Sequence, residues 1–380
     1  MGRKLSRRGL LRAAAGCGAA LLTGACARSE KLGRVTSAAG SRAPWKAGLA
    51  TIHITPNKPL WMGGFSARTK PSDGTLQELN AKALALEDQT GGRAVLVTTD
   101  LIGLPGVVSK SIAEQARKRY RLSRDRLLFN SSHTHSGPVL ANPLQITYRA
   151  LMSAAQWRDV EQYTRGLENK VVAVIGDALK DLKPARLSFG HSQTNFAVNR
   201  RLKTDKGWVS STVNPQGPVD HVVPFLRVDS DEGRLRGAVF GYACHNTTLI
   251  SDNYKFCGDY AGFAQEQLEK RHPDATAMFV AGCAADANPN PRGTVALAQK
   301  YGEMLAGTVD HALGGSLMPV RGPLKSAFAV FPVTVRRAAT HSARKPNHRY
   351  TDMWSAVSLL PLFCDKVLSA NLRFRTAVAS

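Results

Sequence analysis

The chain has no Cys-x-x-C spacing, no internal repeat, and no apolar run in its body long enough to span a membrane. The first absence excludes a structural zinc knuckle. The second excludes solenoids and propellers, and the third excludes a body built of membrane-spanning helices. Acidic residues are scarce, 28 against 51 Lys and Arg, for a net charge of +23. Such a charge would ordinarily point to nucleic acid. Here, however, nine basic residues fall in 1–42 and ten in 320–380, which leaves 32 basic and 25 acidic residues between them. A nucleic-acid groove needs a basic stripe with interleaved aromatics inside the folded body. The body has none, so no nucleic-acid partner is expected.

What is present begins with export. Ser6-Arg7-Arg8-Gly9-Leu10-Leu11-Arg12 is a twin-arginine motif, and the apolar run that follows, Ala13 to Leu22, is too short to span a membrane. That pattern predicts a twin-arginine signal over 1–27 and a periplasmic, extracellular or lipid-anchored protein. Thr23-Gly24-Ala25-Cys26 approximates a lipoprotein box, and Ala25-Cys26-Ala27 equally fits ordinary cleavage. Cys17 and Cys26 belong to this segment. Cys244 and Cys283 sit in apolar surroundings that suit small buried thiols, and a disulfide in an exported protein is left open. Residues 28–44 read as a polar linker.

The 380 residues are enough to bury a sizeable core, and periodicity places its elements. Strands are predicted at Trp45 to Thr55, in a hairpin of Ala81–Asp88 with Ala94–Asp100, and at Leu127–Phe129, Ala185–Gly190, Val222–Val228, Leu235–Cys244 and Ala277–Ala281. Helices are predicted at Ser109–Tyr120, Val160–Leu182, Tyr260–Lys270 and Val295–Leu313. This alternation implies an α/β fold, a layered mixed sheet with flanking helices and its active site at strand ends.

The chemistry sits at those ends. His133-Thr134-His135-Ser136-Gly137-Pro138 follows an apolar run, and on a continuing strand both imidazoles would project from one face. A second run, Gly241-Tyr242-Ala243-Cys244-His245-Asn246-Thr247, also ends in a histidine. Asp259-Tyr260-Ala261-Gly262 and Asp286-Ala287-Asn288-Pro289-Asn290 follow.

Together these motifs, with Trp61-Met62-Gly63-Gly64-Phe65 upstream, resemble the N-terminal domain of the neutral (non-lysosomal) ceramidase family over about Gly48 to Arg292. The resemblance implies a zinc-dependent hydrolase of an N-acyl bond, with His133 and His245 as metal ligands. His135 would lie beside the metal as a catalytic group. Arg200 and Asn288 would surround the substrate carbonyl, and Asp259 and Asp286 would bind substrate. Where the family has a catalytic serine this chain has Asn288, which cannot be an acyl nucleophile.

The family also completes its metal site with a glutamate and a tyrosine from much farther along and ends in a β-sandwich. The last glutamate is Glu303, and the 77 residues after it are too few for that remainder, so the sandwich is not expected here; neither Tyr301 nor Tyr350 sits in a matching motif. Asp259 or water would fill the open positions. The ceramidase-like domain is expected over 45–332. It is followed by an aperiodic basic tail over 333–380, read as truncated or frame-shifted or as a divergent natural terminus. A lipid-like or small N-acyl substrate and association with a membrane surface are expected, and the oligomeric state is not set by sequence. Two other readings stand beside this one: a non-catalytic remnant with an incomplete metal site, and a zinc hydrolase of other amides or esters.

Overall fold

Strands and helices alternate where the apolar period of the sequence changes from two to about 3.6. The structure, a computed structural model, describes residues 43–142, 146–331 and 373–379. Its elements run β1 (Trp45–His53), β2 (Gly74–Thr75), β3 (Asn80–Asp88), β4 (Arg93–Thr99), α1 (Gly106–Tyr120), β5 (Leu127–Ser131), α2 (Ile146–Leu151) and α3 (Ala154–Lys180). They continue with β6 (Lys183–Gln193), β7 (Ala197–Thr204), β8 (Gly207–Asn214), β9 (Val222–Ser230), β10 (Leu235–Tyr242), β11 (Lys255–Phe256) and α4 (Asp259–Arg271). The last are β12 (Thr276–Ala281), β13 (Ala287–Pro289), α5 (Val295–Leu313), β14 (Met318–Pro319), β15 (Lys325–Phe331) and β16 (Arg373–Ala379).

The main sheet has the order β12-β10-β9-β6-β1-β3-β4-β5, with β14 added beside β6. It is mixed: β4 with β5 and β10 with β12 are parallel, and the other pairs are antiparallel. The sheet curls until its end strands meet. Asn130 on β5 donates through Nδ2 to the Ala281 carbonyl at 3.2 Å and accepts from the Ala281 N–H at 2.9 Å, so one side-chain amide replaces a ladder.

Strand alternation then gives the curled sheet two faces. Trp45, Ala47, Leu84, Leu86, Leu187, Val228 and Met278 line the inside. A Cβ on Gly237 would come within 2.8 Å of Leu49, which shows how closely β10 approaches β1 across that interior. Outside, α1 and α3 cover β1, β3 and β4 in one core, and α4 and α5 cover β9, β10 and β12 in another. A Cβ on Gly48 would lie 2.0 Å from the Ala178 carbonyl, so only glycine lets α3 seat on β1.

The predicted elements are found with ends shifted by a few residues. The largest shift is in α3, which starts at Ala154 because Ser153 and Gln156 form a reciprocal capping box. The sequence reading missed the β7–β8 hairpin and β13, which pair into a small separate sheet. Cys283 is exposed, not buried as expected, because its turn lies outside the strand that precedes it; Cys244 and Cys257 are buried, and all three are free. The signal, the linker up to residue 42 and residues 332–372 lie outside the described residues, with every expectation placed on them. Arg373–Ala379, expected to be aperiodic, is a strand parallel to β15. Its alternation of Phe374, Thr376 and Val378 with other residues is a two-residue period. No helix among the described residues is long and apolar enough to cross a membrane.

Candidate metal centre

The parallel pairs determine where chemistry collects. The parallel pairs β4–β5 and β10–β12 release their chains where the two end strands of the sheet meet, and these four loops supply His133, His135, His245 and the carbonyls that orient them. His133 is not on a continuing strand as expected. β5 stops at Ser131, and His133 takes a left-handed backbone with φ of 60°. For a non-glycine residue this is a strained conformation, the kind found where function over-determines the chain. Its N–H donates to the Leu101 carbonyl at 3.0 Å, which holds the kink.

The kink brings three rings together. His133 Nε2 lies 3.1 Å from His245 Nε2 and 3.3 Å from His135 Nε2, and one ligand atom from each residue falls within 4.8 Å of the others. His133 Nδ1 is 2.7 Å from the Ile102 carbonyl and His245 Nδ1 is 2.9 Å from the Ala284 carbonyl. A carbonyl can only accept, so each Nδ1 carries the proton and each Nε2 presents a lone pair to its neighbour. Bare lone pairs at this separation repel unless a cation lies between them. Tetrahedral zinc with ligands at about 2.0–2.1 Å separates its nitrogens by about 3.3 Å. The three imidazoles, His135 among them, could therefore hold a transition-metal ion.

Electrostatics agree with that fit. Burial lowers the pKa of His133, drives His135 well below its ordinary value, and holds His245 down to about 3. Neutral imidazole is the form that ligates. The Arg200 charge depresses all three and so lies near them.

His135 is held from the far side by the loop of Gly63, Gly64 and Phe65. Gly64 has φ of 100°, and a Cβ there would lie 2.4 Å from the His135 ring. Its N–H donates to the Tyr148 hydroxyl at 2.8 Å, and Gly63 N–H donates to the Gly137 carbonyl at 2.9 Å. Phe65 packs on the imidazole with ring centres 4.7 Å apart. Arg68, which sequence reasoning missed, is buried and donates to the His135 carbonyl at 2.7 Å and to Gly63 and Asn253 carbonyls. Burial lowers its pKa to about 10, so it remains charged at neutral pH. Nothing in a lone arginine between two expected strands would have signalled this.

Arg200 and Asn288 sit together. Arg200, on β7, donates through Nε to the Ala285 carbonyl at 3.0 Å and through Nη1 to Asn288 Oδ1 at 3.4 Å. Burial brings its pKa to about 10. Asn288, on β13, is buried and also takes Thr247 Oγ1 at 3.4 Å on the same oxygen.

The two aspartates are elsewhere. Asp259 is fully buried, and its carboxylate accepts from the backbone N–H groups of Thr248, Leu249 and Tyr260 at 3.1, 2.8 and 2.6 Å. It fixes the loop that follows His245, and it is not among the three residues that could hold an ion. Its oxygens are already spent on amides. Asp286 is exposed; its carbonyl accepts from the Arg200 N–H at 2.7 Å and its carboxylate from Asn199 Nδ2 at 3.4 Å. Tyr301 is spent on the Pro291 carbonyl and stacks on Phe196 in the core, and Glu303 pairs with Arg271. Tyr350 lies outside the described residues.

The family model for the neutral/alkaline non-lysosomal ceramidase, N-terminal region, matches residues 45–358. A neutral ceramidase of Pseudomonas aeruginosa is 24% identical over 254 residues, 65% of this chain and 37% of the relative. Neutral ceramidase B of Dictyostelium discoideum is 25% identical over 232 residues, 56% of this chain and 31% of the relative. The crystal structure of the Pseudomonas aeruginosa neutral ceramidase shares the fold, with a TM-score of 0.63 and 20% identity over 74% of this chain and 47% of that one. The chain thus spans about a third of the length of these curated relatives. On the strength of the family match, this chain is a member of the neutral/alkaline non-lysosomal ceramidase family.

Proposed function

We propose that the chain carries the metal-holding part of a ceramidase-like hydrolase that cleaves an N-acyl amide bond in a lipid-like substrate, with zinc held by His133, His135 and His245. The single observation that carries this reading is the convergence of three neutral imidazoles, His135 and His245 buried and His133 partly buried, from two loops 112 residues apart. Bound zinc supplies Lewis acidity, acidifying water and polarising an acyl carbonyl.

The remaining roles belong to the chain. Ile102 and Ala284 carbonyls hold the protons of His133 and His245 on Nδ1, leaving Nε2 for the metal. Arg200 holds a fixed positive charge near the rings, where it stabilises negative charge that develops on an attacked carbonyl. Asn288 Oδ1 is engaged by Arg200 and Thr247, so its amide N–H groups are the donors left for substrate. Cys244 is an unsuitable nucleophile, because full burial drives its thiol pKa far up. With asparagine at the family's serine position, the reading favours direct attack by water over an acyl-enzyme.

The test is metal content with activity. Purified protein should hold one zinc per chain and hydrolyse an N-acyl sphingoid amide, and His133→Ala or His245→Ala should lose both. A metal-free chain with no amidase activity after zinc reconstitution would support the remnant reading. Preferential cleavage of an ester or a small amide would leave the centre intact and change the substrate class.

A further inference from the structure

Away from the histidines, β7 and β8 form a ribbon that leaves the body. The strands join at Asp205-Lys206, with Thr204 opposite Gly207, Lys203 opposite Trp208 and Leu202 opposite Val209. Opposed residues share a face, so Leu202 and Val209 make one face and Lys203 and Trp208 the other. Both faces are wet. Trp208 is 71% exposed, Val213 54%, Val209 44% and Leu202 39%, the densest run of exposed large apolar side chains among the described residues. Trp45, Trp61 and Trp157 are buried, so Trp208 stands apart from them.

A two-stranded ribbon presenting tryptophan and valine to water is marginal unless something covers it. Its charge says what. From Ala197 to Asn214 the chain carries Arg200, Arg201, Lys203 and Lys206 against Asp205. Tryptophan with flanking lysines is the composition that settles in the headgroup layer of a bilayer, the ring at the acyl boundary and the ammonium groups on anionic headgroups. The base of the ribbon is part of the site. β7 pairs with β13, Asn288 lies opposite Val198, and Arg200 and Arg201 both donate to the Ala285 carbonyl.

We propose that the β7–β8 hairpin is a membrane-docking element, which places Trp208 and Val209 in the interface of an anionic bilayer and so sets the histidine centre at the lipid surface. The proposal rests on the lipid-like substrate argued above and names the surface from which that substrate is drawn.

The experiment compares the full chain with Trp208→Ser and with the pair Lys203→Glu and Lys206→Glu, all exposed positions outside the centre. Vesicles of phosphatidylglycerol with phosphatidylcholine are sedimented against vesicles of phosphatidylcholine alone. The basic chain ends give the same background in every variant. The wild-type chain should bind the anionic vesicles with a blue shift of tryptophan emission that Trp208→Ser abolishes. The charge reversals should lower the partition coefficient at least about tenfold, with zinc content, unfolding midpoint and cleavage of a soluble short-chain amide unchanged. Equal vesicle binding by all variants would overturn the proposal. So would a concentration-dependent dimer that the same substitutions dissolve, which would assign the ribbon to a second copy of the chain. Vesicle binding is also read in His133→Ala: hairpin-dependent binding without any amidase activity in the wild type would sink the hydrolase reading and leave the docking element standing.

Discussion

Asn130 and Ala281, on the two end strands of the sheet, are joined by a reciprocal pair of hydrogen bonds at 3.2 and 2.9 Å. Asn130 is three residues before His133, and Ala281 is three residues before Ala284, whose carbonyl orients His245. The seam that closes the sheet therefore also sets the spacing of the metal centre.

Replacing Asn130 with alanine removes both bonds and leaves the Ala281 amide and carbonyl without these partners. A loss of about 1–3 kcal/mol in unfolding free energy is expected, measured by urea titration, together with weaker zinc binding by competition with a chelator. Asn130→Asp should not restore it, since a carboxylate accepts from the Ala281 N–H but repels the carbonyl. Unchanged zinc affinity in both variants would show that the seam and the centre are independent.

Gly64→Ala is expected to act on His135 from behind. The left-handed backbone costs a β-carbon about 1–2 kcal/mol, and the carbon would meet the ring at 2.4 Å, so the imidazole must move. Zinc affinity should fall more than stability does. Retention of full zinc affinity would mean that His135 is not a ligand.

The pH response of the metal-free protein has a definite sign. In the folded chain His245 has a pKa of about 3, against 6.5 for the ordinary side chain, and burial lowers His133 and His135 in the same sense. Below pH 6.5 the unfolded chain takes up protons that the folded chain refuses, so these groups subtract stability as pH falls toward 3. Burial raises the carboxyl pKa of Asp100 and Asp259, which act in the opposite sense. The diagnostic is thus a difference: with chelator present, His245→Asn should lose stability less steeply than wild type between pH 6.5 and 4. Parallel curves would contradict the burial argument.

Arg200→Ala should separate chemistry from metal binding. Removal of a charge that faces a developing oxyanion costs on the order of 10²–10³ in kcat, whereas the zinc content should be unchanged because Arg200 ligates nothing. Loss of zinc along with kcat would recast Arg200 as a structural support for the β13 loop.

Much of this was legible in the residues. Apolar periodicity located the core strands and helices because a two- or 3.6-residue repeat is a local property of the chain. The turn at Gly137-Pro138 and the two histidine-tipped runs marked where chemistry would collect. The β7–β8 hairpin escaped because a ribbon wet on both faces has no alternation of polar and apolar residues to read. The hydrogen bonds of Asp259 could not be read, because a carboxylate beside a histidine loop looks the same in sequence whether it faces a ligand or caps three amides. Arg68 and Gly64 gained their meaning only from what lies against them.

The sequence by itself determined the family, the strands of the main sheet with their covering helices, and the imidazoles available to hold a metal. Tertiary structure alone decided that His135 lies with His133 and His245, that the Asp259 carboxylate turns to backbone amides, and that the sheet closes through Asn130. The physical reason is range: periodicity and motif spacing act within a few turns of chain, whereas a ligand set and its proton positions depend on atoms brought together from loops more than a hundred residues apart.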